Sequence, residues 1–423
     1  MKRVAIFALF VIVLYPLTLM GQNRVVKTGI DVLEENGFEQ LKGKKIGLVT
    51  NPTGVDRWMN STIDILYNAP EVELVALFGP EHGVRGSVHA GIGIEDTPVD
   101  PSTGVRIYSL YGKSRLPSAS SLEGLDAIVY DIQDIGCRSY TYISTMGNVM
   151  KVAACEGIEF IVLDRPNPLG GNKVEGPVVD DSLISFVGQY QIPYVYGLTC
   201  GELATLINEE GMLTVPDRNG ADSIVRCNLT VVRMKGWERD MTYDKTGLRW
   251  VPTSPHIPTV EAAMLYPATG IIGELGVVSI GVGYTLPFQM IASDKITDAE
   301  AFAARMNAIG LPGVTFRAIY ASPFYGGFKG KQVAGVQIYI DDFEQVELTS
   351  IQFYALEVLT MMLPSFRPFS QTGSSNLNMF DKVTGTKKVR EIFSKTYRFK
   401  DISPLWRCDT EAFVRASARY RLY

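Results

Sequence analysis

The 423-residue chain is predicted to be an α/β protein, with a mainly parallel sheet covered by helices on both faces and a smaller C-terminal α+β domain. Three observations predict this architecture. Short, almost continuous apolar runs alternate with helical segments through the first half, as in strands that are buried on both faces. Polar clusters follow the carboxyl ends of these runs. After about residue 290 the pattern changes to a β-hairpin and a series of helices.

Apolar runs in the first half are predicted to be the strands of the sheet. They comprise residues 45–50, 72–78, 105–110, 127–130 and 159–163, and a further strand is predicted at 229–232. Helices are predicted at 61–67, with Ser61 as N-cap, at 145–156, and at 199–210, where Thr199 and Glu202 fit a capping box. Because helices separate the strands, we expect mainly parallel pairing.

The second half is predicted to contain a crevice loop and a separate domain. Residues 251–259 are too rich in proline for regular structure, so they are expected to form an ordered loop over the crevice, followed by a helix at 260–265. The C-terminal domain is predicted to contain a hairpin of strands 314–320 and 333–340 and helices at 298–309, 350–362, 387–393 and 410–420. The predicted domains are therefore 23–289 and 290–423.

The first 22 residues are predicted to be a secretory signal peptide. Lys2 and Arg3 precede an apolar run from Val4 to Leu14, which is short for a membrane-spanning helix. We therefore expect an exported protein, periplasmic, associated with the cell envelope or secreted, without stable membrane insertion after cleavage. An uncleaved anchor is the alternative. The five cysteines are widely spaced and odd in number, which does not indicate a disulfide framework.

Polar side chains follow four of the predicted strands, at residues 51–54, 81–85, 131–138 and 164–167. Because the carboxyl ends of parallel strands lie on one edge of the sheet, these clusters are expected to converge on one crevice. Asn51 and Asn167 belong to the first and last of them. The sequence therefore predicts a functional site at this edge.

Carboxylates in this crevice are candidates for general acid/base chemistry at a glycosidic bond. They are Glu81, Asp131, Asp134 and Asp164. Glu81 follows an apolar strand and sits in a Gly/Pro turn, where partial desolvation would raise its pKa and keep it protonated as an acid. Asp131 and Asp164 have a second interpretation, since an aspartate at a strand end also forms caps and turns.

Cationic and aromatic side chains accompany the carboxylates. Arg85, Arg138 and Arg165 follow different strands, and each is expected either to pair with a carboxylate or to clamp an anionic ligand. Tyr140 and Tyr142 are candidates for stacking on a sugar ring, although aromatics at alternating positions are also typical of a buried sheet face.

Other classes of chemistry are not indicated. The formal net charge of −5 gives no sign of a nucleic-acid partner. The histidines are His82, His89 and His256, with no HExxH motif, so no metal site is predicted. The Gly91-Ile92-Gly93 stretch lacks the third glycine and the preceding strand of a dinucleotide motif. No metal or organic cofactor is therefore expected.

Several motifs along the chain carry a family resemblance. The long ones are residues 47–54 (GLVTNPTG), 78–86 (FGPEHGVRG), 131–142 (DIQDIGCRSYTY) and 163–168 (LDRPNP). Shorter ones are 176–177 (GP), 201–204 (GELA), 254–259 (SPHIPT), 335–337 (GVQ) and 419–423 (RYRLY). Together these residues resemble the NamZ-type exo-β-N-acetylmuramidases, formerly a bacterial domain of unknown function. The resemblance covers essentially the whole chain after the predicted signal.

The resemblance implies an exported glycosidase that releases terminal β-linked N-acetylmuramic acid from the non-reducing end of peptidoglycan fragments, muropeptides or disaccharides. It implies a Rossmann-like catalytic domain, a smaller C-terminal domain and a cleft between them. It assigns the catalytic glutamate to Glu81 and makes Arg85 and Arg138 candidate holders of the lactyl carboxylate of the substrate. His82 and His256 are then expected to bind the sugar or to orient a neighbouring group.

One segment departs from the family pattern. In residues 274–288 the family's arginine position is Val282, and a polar Thr-Asn pair is missing. His256 also stands where asparagine is common. Substrate preference is therefore open, as are oligomeric state and the choice between retaining, inverting and substrate-assisted mechanisms. Asp131, Asp134, Asp164 and the substrate's own 2-acetamido group are alternatives for the second catalytic group. The competing functions are a non-catalytic cell-wall sugar-binding protein and a metal-dependent amidase or deacetylase.

Overall fold

The structure is a computed structural model and describes residues 25–86, 99–112, 115–216 and 219–423. The predicted signal peptide, His89 and the Gly91-Ile92-Gly93 stretch lie outside the described residues. Within the described ranges, no helix combines the length and the apolar character needed to cross a membrane.

The N-terminal part of the chain is built on a six-stranded sheet. Its strands are β1 (Lys44–Thr50), β2 (Val72–Gly79), β3 (Arg106–Ser109), β4 (Ala127–Asp131) and β5 (Glu159–Leu163); β6 (Thr214–Pro216) and β7 (Asp222–Ile224) form a separate hairpin, and β8 (Leu229–Val232) completes the sheet. The order across the sheet is β3-β2-β1-β4-β5-β8, and every neighbouring pair is parallel. This is the doubly wound order of a Rossmann-like sheet, which confirms the predicted fold class.

Helices cover both faces of this sheet. They are α1 (Gly29–Glu35), α2 (Thr62–Asn68), the short α3 (Ala119–Leu122), α4 (Tyr142–Glu156) and α5 (Cys200–Glu209). Along β4, Ala127 and Val129 pack into the core formed with α1 and α2, whereas Ile128 and Tyr130 pack into the core formed with α4 and α5. The alternation follows from the two-residue period of a strand, and it explains why the strand is apolar throughout.

The C-terminal part forms an α+β unit around an antiparallel sheet with the order β10-β11-β9. The strands are β9 (Met290–Ser293), β10 (Val314–Ala321) and β11 (Val333–Ile340). The helices are α6 (Val260–Gly273), α7 (Ala299–Ala308), α8 (Leu348–Met362), α9 (Pro368–Gln371), α10 (Ser374–Thr384), α11 (Lys387–Thr396), α12 (Phe399–Arg407) and α13 (Thr410–Ser417). Helix α6 shares the hydrophobic core of this unit and packs on α8.

Helices α1, α3, α9 and α10 were not predicted from the sequence. Two further helices differ from the prediction because tertiary packing overrides local signals. Helix α6 continues to Gly273, although Pro267 removes a backbone donor from its interior. Its last two turns are held by burial, and Gln352 of α8 bonds both to the carbonyl oxygen of Pro267 at 2.8 Å and to the amide of Ile272 at 3.1 Å. Helix α12 likewise contains Pro404 and was not predicted.

Candidate active site

The carboxyl ends of the parallel strands bring the predicted polar clusters to one edge of the sheet. Thr50 at the end of β1 pairs in register with Asp131 at the end of β4. From β1 the chain continues to β2 on one side of the sheet, while β4 and β5 lie on the other. In doubly wound sheets the loops diverge at this point and leave a crevice for ligands.

The turn after β2 presents Glu81 and His82 at this edge. The amide of Gly83 donates to the carbonyl oxygen of Pro80 at 3.0 Å, which closes the turn. His82 and Gly83 both adopt the left-handed backbone conformation, with φ of 76° and 75°. A non-glycine residue in this region is uncommon, and such strain concentrates at functional sites. His82 is buried, whereas Glu81 is half-buried and open to a ligand.

Tyr111 lies beside Glu81. It follows β3, the neighbour of β2, and its hydroxyl is hydrogen-bonded to the Glu81 carboxylate. Burial raises the pKa of Tyr111, and the charge of Glu81 and this hydrogen bond raise it further. The hydroxyl therefore stays protonated and serves as a donor that orients the carboxylate. Sequence reasoning missed Tyr111, although its place directly after the third predicted strand follows the same strand-end rule as the four clusters.

The proline-rich loop at residues 251–259 covers the crevice from the other side. Tyr140 donates to the Thr253 hydroxyl at 2.8 Å, and Tyr142 donates to the Thr253 carbonyl oxygen at 2.5 Å. These two tyrosines therefore fasten the loop to the start of α4. In this structure their hydroxyls are engaged by protein groups, and only Tyr140 is partly exposed for contact with a ligand.

His256 is carried by the fastened loop. Burial lowers its pKa and the charge of His82 lowers it further, while Glu81 opposes the change. The side chain is therefore neutral at pH 7 and lies in the electrostatic reach of both residues. Its ring stacks on Tyr325 of the C-terminal domain, with 5.7 Å between centroids and 17° between planes.

Asp131 and Arg165 form a buried ion pair. The guanidinium donates to both carboxylate oxygens, at 2.5 and 2.8 Å, and Thr62 donates to the same carboxylate at 2.5 Å. Arg165 also donates to the carbonyl oxygen of Val55 at 2.8 Å. These two predicted site residues therefore bind each other. This ion pair joins the loops after β1, β4 and β5.

Asp164 has a full set of partners within the protein. Its carboxylate accepts hydrogen bonds from the Thr199 hydroxyl at 2.7 Å, the Gly201 amide at 2.8 Å and the Tyr423 hydroxyl at 2.8 Å. Burial raises the pKa of Asp164 to about 6, and the hydrogen bonds act against this. The alternative interpretation of Asp164 as a capping residue therefore fits, because it binds the N-terminus of α5.

The side-chain oxygens of the two predicted asparagines accept hydrogen bonds from residues two positions further along the chain. Asn51 accepts from the amide and the hydroxyl of Thr53 through one oxygen, at 2.9 and 2.5 Å. Asn167 accepts from the Leu169 amide and donates to the Leu198 carbonyl oxygen, both at 2.9 Å. Both side chains are buried, so they shape the turns at the sheet edge.

Asp134 differs from the other two aspartates because one of its oxygens has no partner. Oδ2 accepts from the Tyr196 hydroxyl at 2.5 Å and from the Gly136 amide at 2.8 Å, whereas Oδ1 is buried and unpaired. Burial raises the pKa of Asp134 to about 6. This carboxyl therefore changes its protonation state near pH 6, within the range where a general acid or base works.

The remaining arginines of the prediction are engaged by other parts of the protein. Arg85 donates to Asp100 at 2.9 Å and to Asp64 at 3.0 Å, and these carboxylates raise its pKa. Arg138 is fully buried, and four backbone carbonyl oxygens accept from its guanidinium. The structure therefore places Arg138 in the packing between the two domains, and it does not present that charge to the crevice.

The cavities of about 700 Å³ that the described residues form lie away from this edge. A cavity of about 700 Å³ lies between the loop at residues 169–176 and the segment 343–347, and it contains none of the predicted site residues. We locate the site by its chemistry, namely a half-buried carboxylate among two histidines and a tyrosine hydroxyl. Among the described residues, no group of three or more His, Cys, Asp or Glu side chains is placed to hold a metal ion.

Two family models match the chain and show which family it belongs to. The model for the N-terminal region of the exo-β-N-acetylmuramidase NamZ matches residues 46–261, and the model for the C-terminal region matches residues 264–423. The chain belongs to the NamZ family. By this membership it is a glycosidase, and the resemblance of its motifs is confirmed.

Relatives of known sequence and structure agree with membership of the NamZ family. The chain is 41% identical over 398 residues to the peptidoglycan β-N-acetylmuramidase NamZ of Bacillus subtilis (strain 168), covering 94% of this chain and 91% of that protein. A crystal structure of a DUF1343 family protein from Bacteroides fragilis has a TM-score of 0.88 and 52% identity, covering 95% of this chain and 99% of that one. A second such protein from the same organism has a TM-score of 0.71 and 28% identity, covering 94% and 99%.

Proposed function

We propose that the protein is an exo-β-N-acetylmuramidase that releases N-acetylmuramic acid from the non-reducing end of peptidoglycan fragments, with Glu81 as the general acid. The observation that carries this proposal is the position of Glu81. It is half-buried at the carboxyl end of β2, is hydrogen-bonded to Tyr111, and belongs to a chain of the NamZ family.

Glu81 acts in this proposal on the oxygen that leaves with the second sugar. Its carboxyl donates a proton to the glycosidic oxygen as the bond to the anomeric carbon breaks. Water supplies the hydroxyl of the released sugar, and the remaining proton of that water restores the protonated carboxyl, directly or through the second group. The Tyr111 hydrogen bond fixes the orientation of the carboxyl, and neutral His256 offers a hydrogen-bonding group without adding charge. A positioned acid of this kind contributes about 100- to 10,000-fold to the rate.

The hydrogen bonds reduce the number of candidates for the second catalytic group. Asp131 is bound to Arg165, and Asp164 accepts from four donors, including the amide of Arg165. Asp134 keeps a free oxygen and is therefore our candidate among the aspartates. Attack by the substrate's 2-acetamido group is the other route, and it needs no carboxylate nucleophile.

The lactyl carboxylate of the substrate requires a cation near Glu81. Arg115 is exposed, its guanidinium lies 3.9 Å from the ring centroid of Phe186, and its charge lowers the pKa of Tyr111 against the effect of burial. Among the arginines considered above, Arg85 and Arg138 already have internal partners. We therefore transfer the role of anion holder to Arg115, which sequence reasoning did not select.

The test compares two leaving groups in Glu81→Gln. A disaccharide with N-acetylmuramic acid at the non-reducing end needs protonation of its leaving oxygen, whereas an aryl muramide with an acidic phenol does not. We expect the variant to lose about 100-fold or more on the disaccharide and much less on the aryl substrate. Equal loss on both substrates, or near-normal turnover of the disaccharide by a variant folded like the parent, would refute the assignment.

The exo specificity is tested with the disaccharide of reversed order. A chain that acts only on terminal N-acetylmuramic acid releases no product from N-acetylglucosaminyl-N-acetylmuramic acid. Product release from the reversed disaccharide alone would contradict the proposed substrate. Tight binding of the correct disaccharide without any product would favour the sugar-binding alternative.

A further inference from the structure

We propose that Tyr325, stacked on His256, is a platform for the sugar on the leaving side of the scissile bond. This inference rests on the proposed function and adds a specificity-determining residue contributed by the C-terminal domain. The platform is defined as the ring of Tyr325 with His256 beneath it and Phe324 at its side.

The platform is an exposed aromatic surface. After β10 the chain turns through Pro323, and Phe324 and Tyr325 remain 58% and 38% exposed. Their ring centroids are 5.3 Å apart and the ring planes are inclined by 57°. Single exposed apolar side chains are ordinary in a folded protein, whereas these two rings are adjacent and form one small aromatic patch.

Contacts place this surface beside the crevice. Tyr325 stacks nearly parallel on His256, with 17° between the planes. His256 follows Thr253 by three residues in the loop that Tyr140 and Tyr142 fasten to the start of α4. The aromatic surface therefore continues from the loop over the sheet edge onto the opposite domain.

The position of Tyr325 depends on the glycine-rich loop that departs from the family pattern. The amide of Phe324 donates to the carbonyl oxygen of Gly283 at 2.8 Å. Gly283 has a φ of 96°, and a Cβ atom at this position would lie 2.2 Å from the carbonyl oxygen of Tyr325. Only glycine fits at this position, so the loop at residues 281–288 determines where the backbone of Tyr325 lies. Changes in this loop therefore act on the leaving-side sugar through Tyr325.

Chemistry and position together assign the ligand. The flat face of an aromatic ring packs against the apolar C–H face of a sugar, and the tyrosine hydroxyl remains available for a polar contact. Glu81 follows β2 at the sheet edge and is half-buried, whereas Tyr325 belongs to the other domain and is 38% exposed. A disaccharide with its scissile oxygen at Glu81 and its terminal sugar inside the crevice extends its second ring toward the rim. The occupant is therefore the leaving sugar.

The experiment separates the two sugar positions in the full-length protein. Tyr325→Ala, Tyr325→Phe and the control Tyr320→Ala are compared, since Tyr320 is a 60% exposed tyrosine of the same domain. The readouts are kcat and KM for the disaccharide and the inhibition constant of free N-acetylmuramic acid. Because an aromatic stacking contact is modest, Tyr325→Ala is expected to lower kcat/KM about fivefold, mainly through KM.

The controls define the result that overturns the proposal. The inhibition constant of N-acetylmuramic acid should change less than about twofold, and Tyr325→Phe and Tyr320→Ala should behave like the parent. The proposal is overturned if Tyr325→Ala keeps the parental KM for the disaccharide. It is also overturned if the variant weakens the binding of N-acetylmuramic acid as much as that of the disaccharide. Failure of the proposed function is distinct, because the parent protein would then release no N-acetylmuramic acid at all.

Discussion

Replacing Arg138 with methionine is expected to destabilise the protein rather than to weaken substrate binding. Its Nη1 donates to the carbonyl oxygens of Pro177 and Ile192 at 2.7 and 2.6 Å. Its Nη2 donates to the carbonyl oxygens of Val383 and Thr384, at 2.9 and 3.0 Å, at the end of α10. One side chain therefore joins the loops of the catalytic domain to a helix of the C-terminal domain.

The magnitude follows from the groups left behind. Each buried carbonyl oxygen that loses its partner costs about 1–3 kcal/mol. Four such losses are partly offset, because burial of the charge is itself unfavourable and already lowers the pKa of Arg138 to about 10. Methionine fills a similar volume, so the cavity left behind is small. We expect a net loss of about 3–5 kcal/mol in the free energy of unfolding.

Urea unfolding followed by tryptophan fluorescence measures this loss, and Arg85→Met is the matched control. Arg85 pairs with Asp64 and Asp100 at a partly exposed position, so its replacement should cost about 1 kcal/mol or less. If Arg138→Met unfolds within about 1 kcal/mol of the parent and instead raises KM for muramides, the arginine is an anion holder and the structural role is refuted.

Two further predictions concern charge in the crevice. Asp134→Asn tests the buried carboxyl, whose folded pKa of about 6 exceeds the ordinary value of 3.8. The folded state therefore binds this proton more tightly, and the free energy of unfolding falls as pH rises from about 4 to 6. In the variant, the decrease in the free energy of unfolding between pH 4 and pH 7 should be smaller by about 1–3 kcal/mol, as measured by urea titrations at the two pH values. A variant whose free energy of unfolding decreases as much as that of the parent contradicts the role of Asp134 in this pH dependence. Arg115→Gln should raise KM for N-acetylmuramic acid substrates about tenfold and leave unfolding unchanged; an unaltered KM contradicts its role as anion holder.

The sheet and the polar clusters at the ends of its strands were predictable because they depend on local patterns. Strand β5 was predicted with the bounds that the structure shows, and β1 and β4 differ by one residue each. Period-two burial and strand-end clustering are written in consecutive residues. The sequence therefore predicted which residues follow the strand ends, and the functional role of that edge stays a prediction.

The partners of individual side chains were not predictable in the same way. Asp131 and Arg165 are 34 residues apart, and Arg138 bonds to carbonyl oxygens 245 and 246 residues further along the chain. Such pairings depend on tertiary geometry, which leaves no trace in spacing or composition. An arginine in a crevice motif therefore has two possible uses, and only its hydrogen bonds distinguish them.

The C-terminal domain contacts the N-terminal domain at two points near the carboxyl ends of the strands. Tyr325 reaches His256 at the rim. At the other end, Tyr423 donates to Asp164 at 2.8 Å, and the amide of Leu422 donates to the Glu202 carboxylate at 2.8 Å. These contacts bind the chain terminus to the ends of β5 and α5, so the C-terminal domain closes on the same edge that carries the chemistry. Both domains therefore contact the loops at the carboxyl ends of the strands, where the proposed site lies.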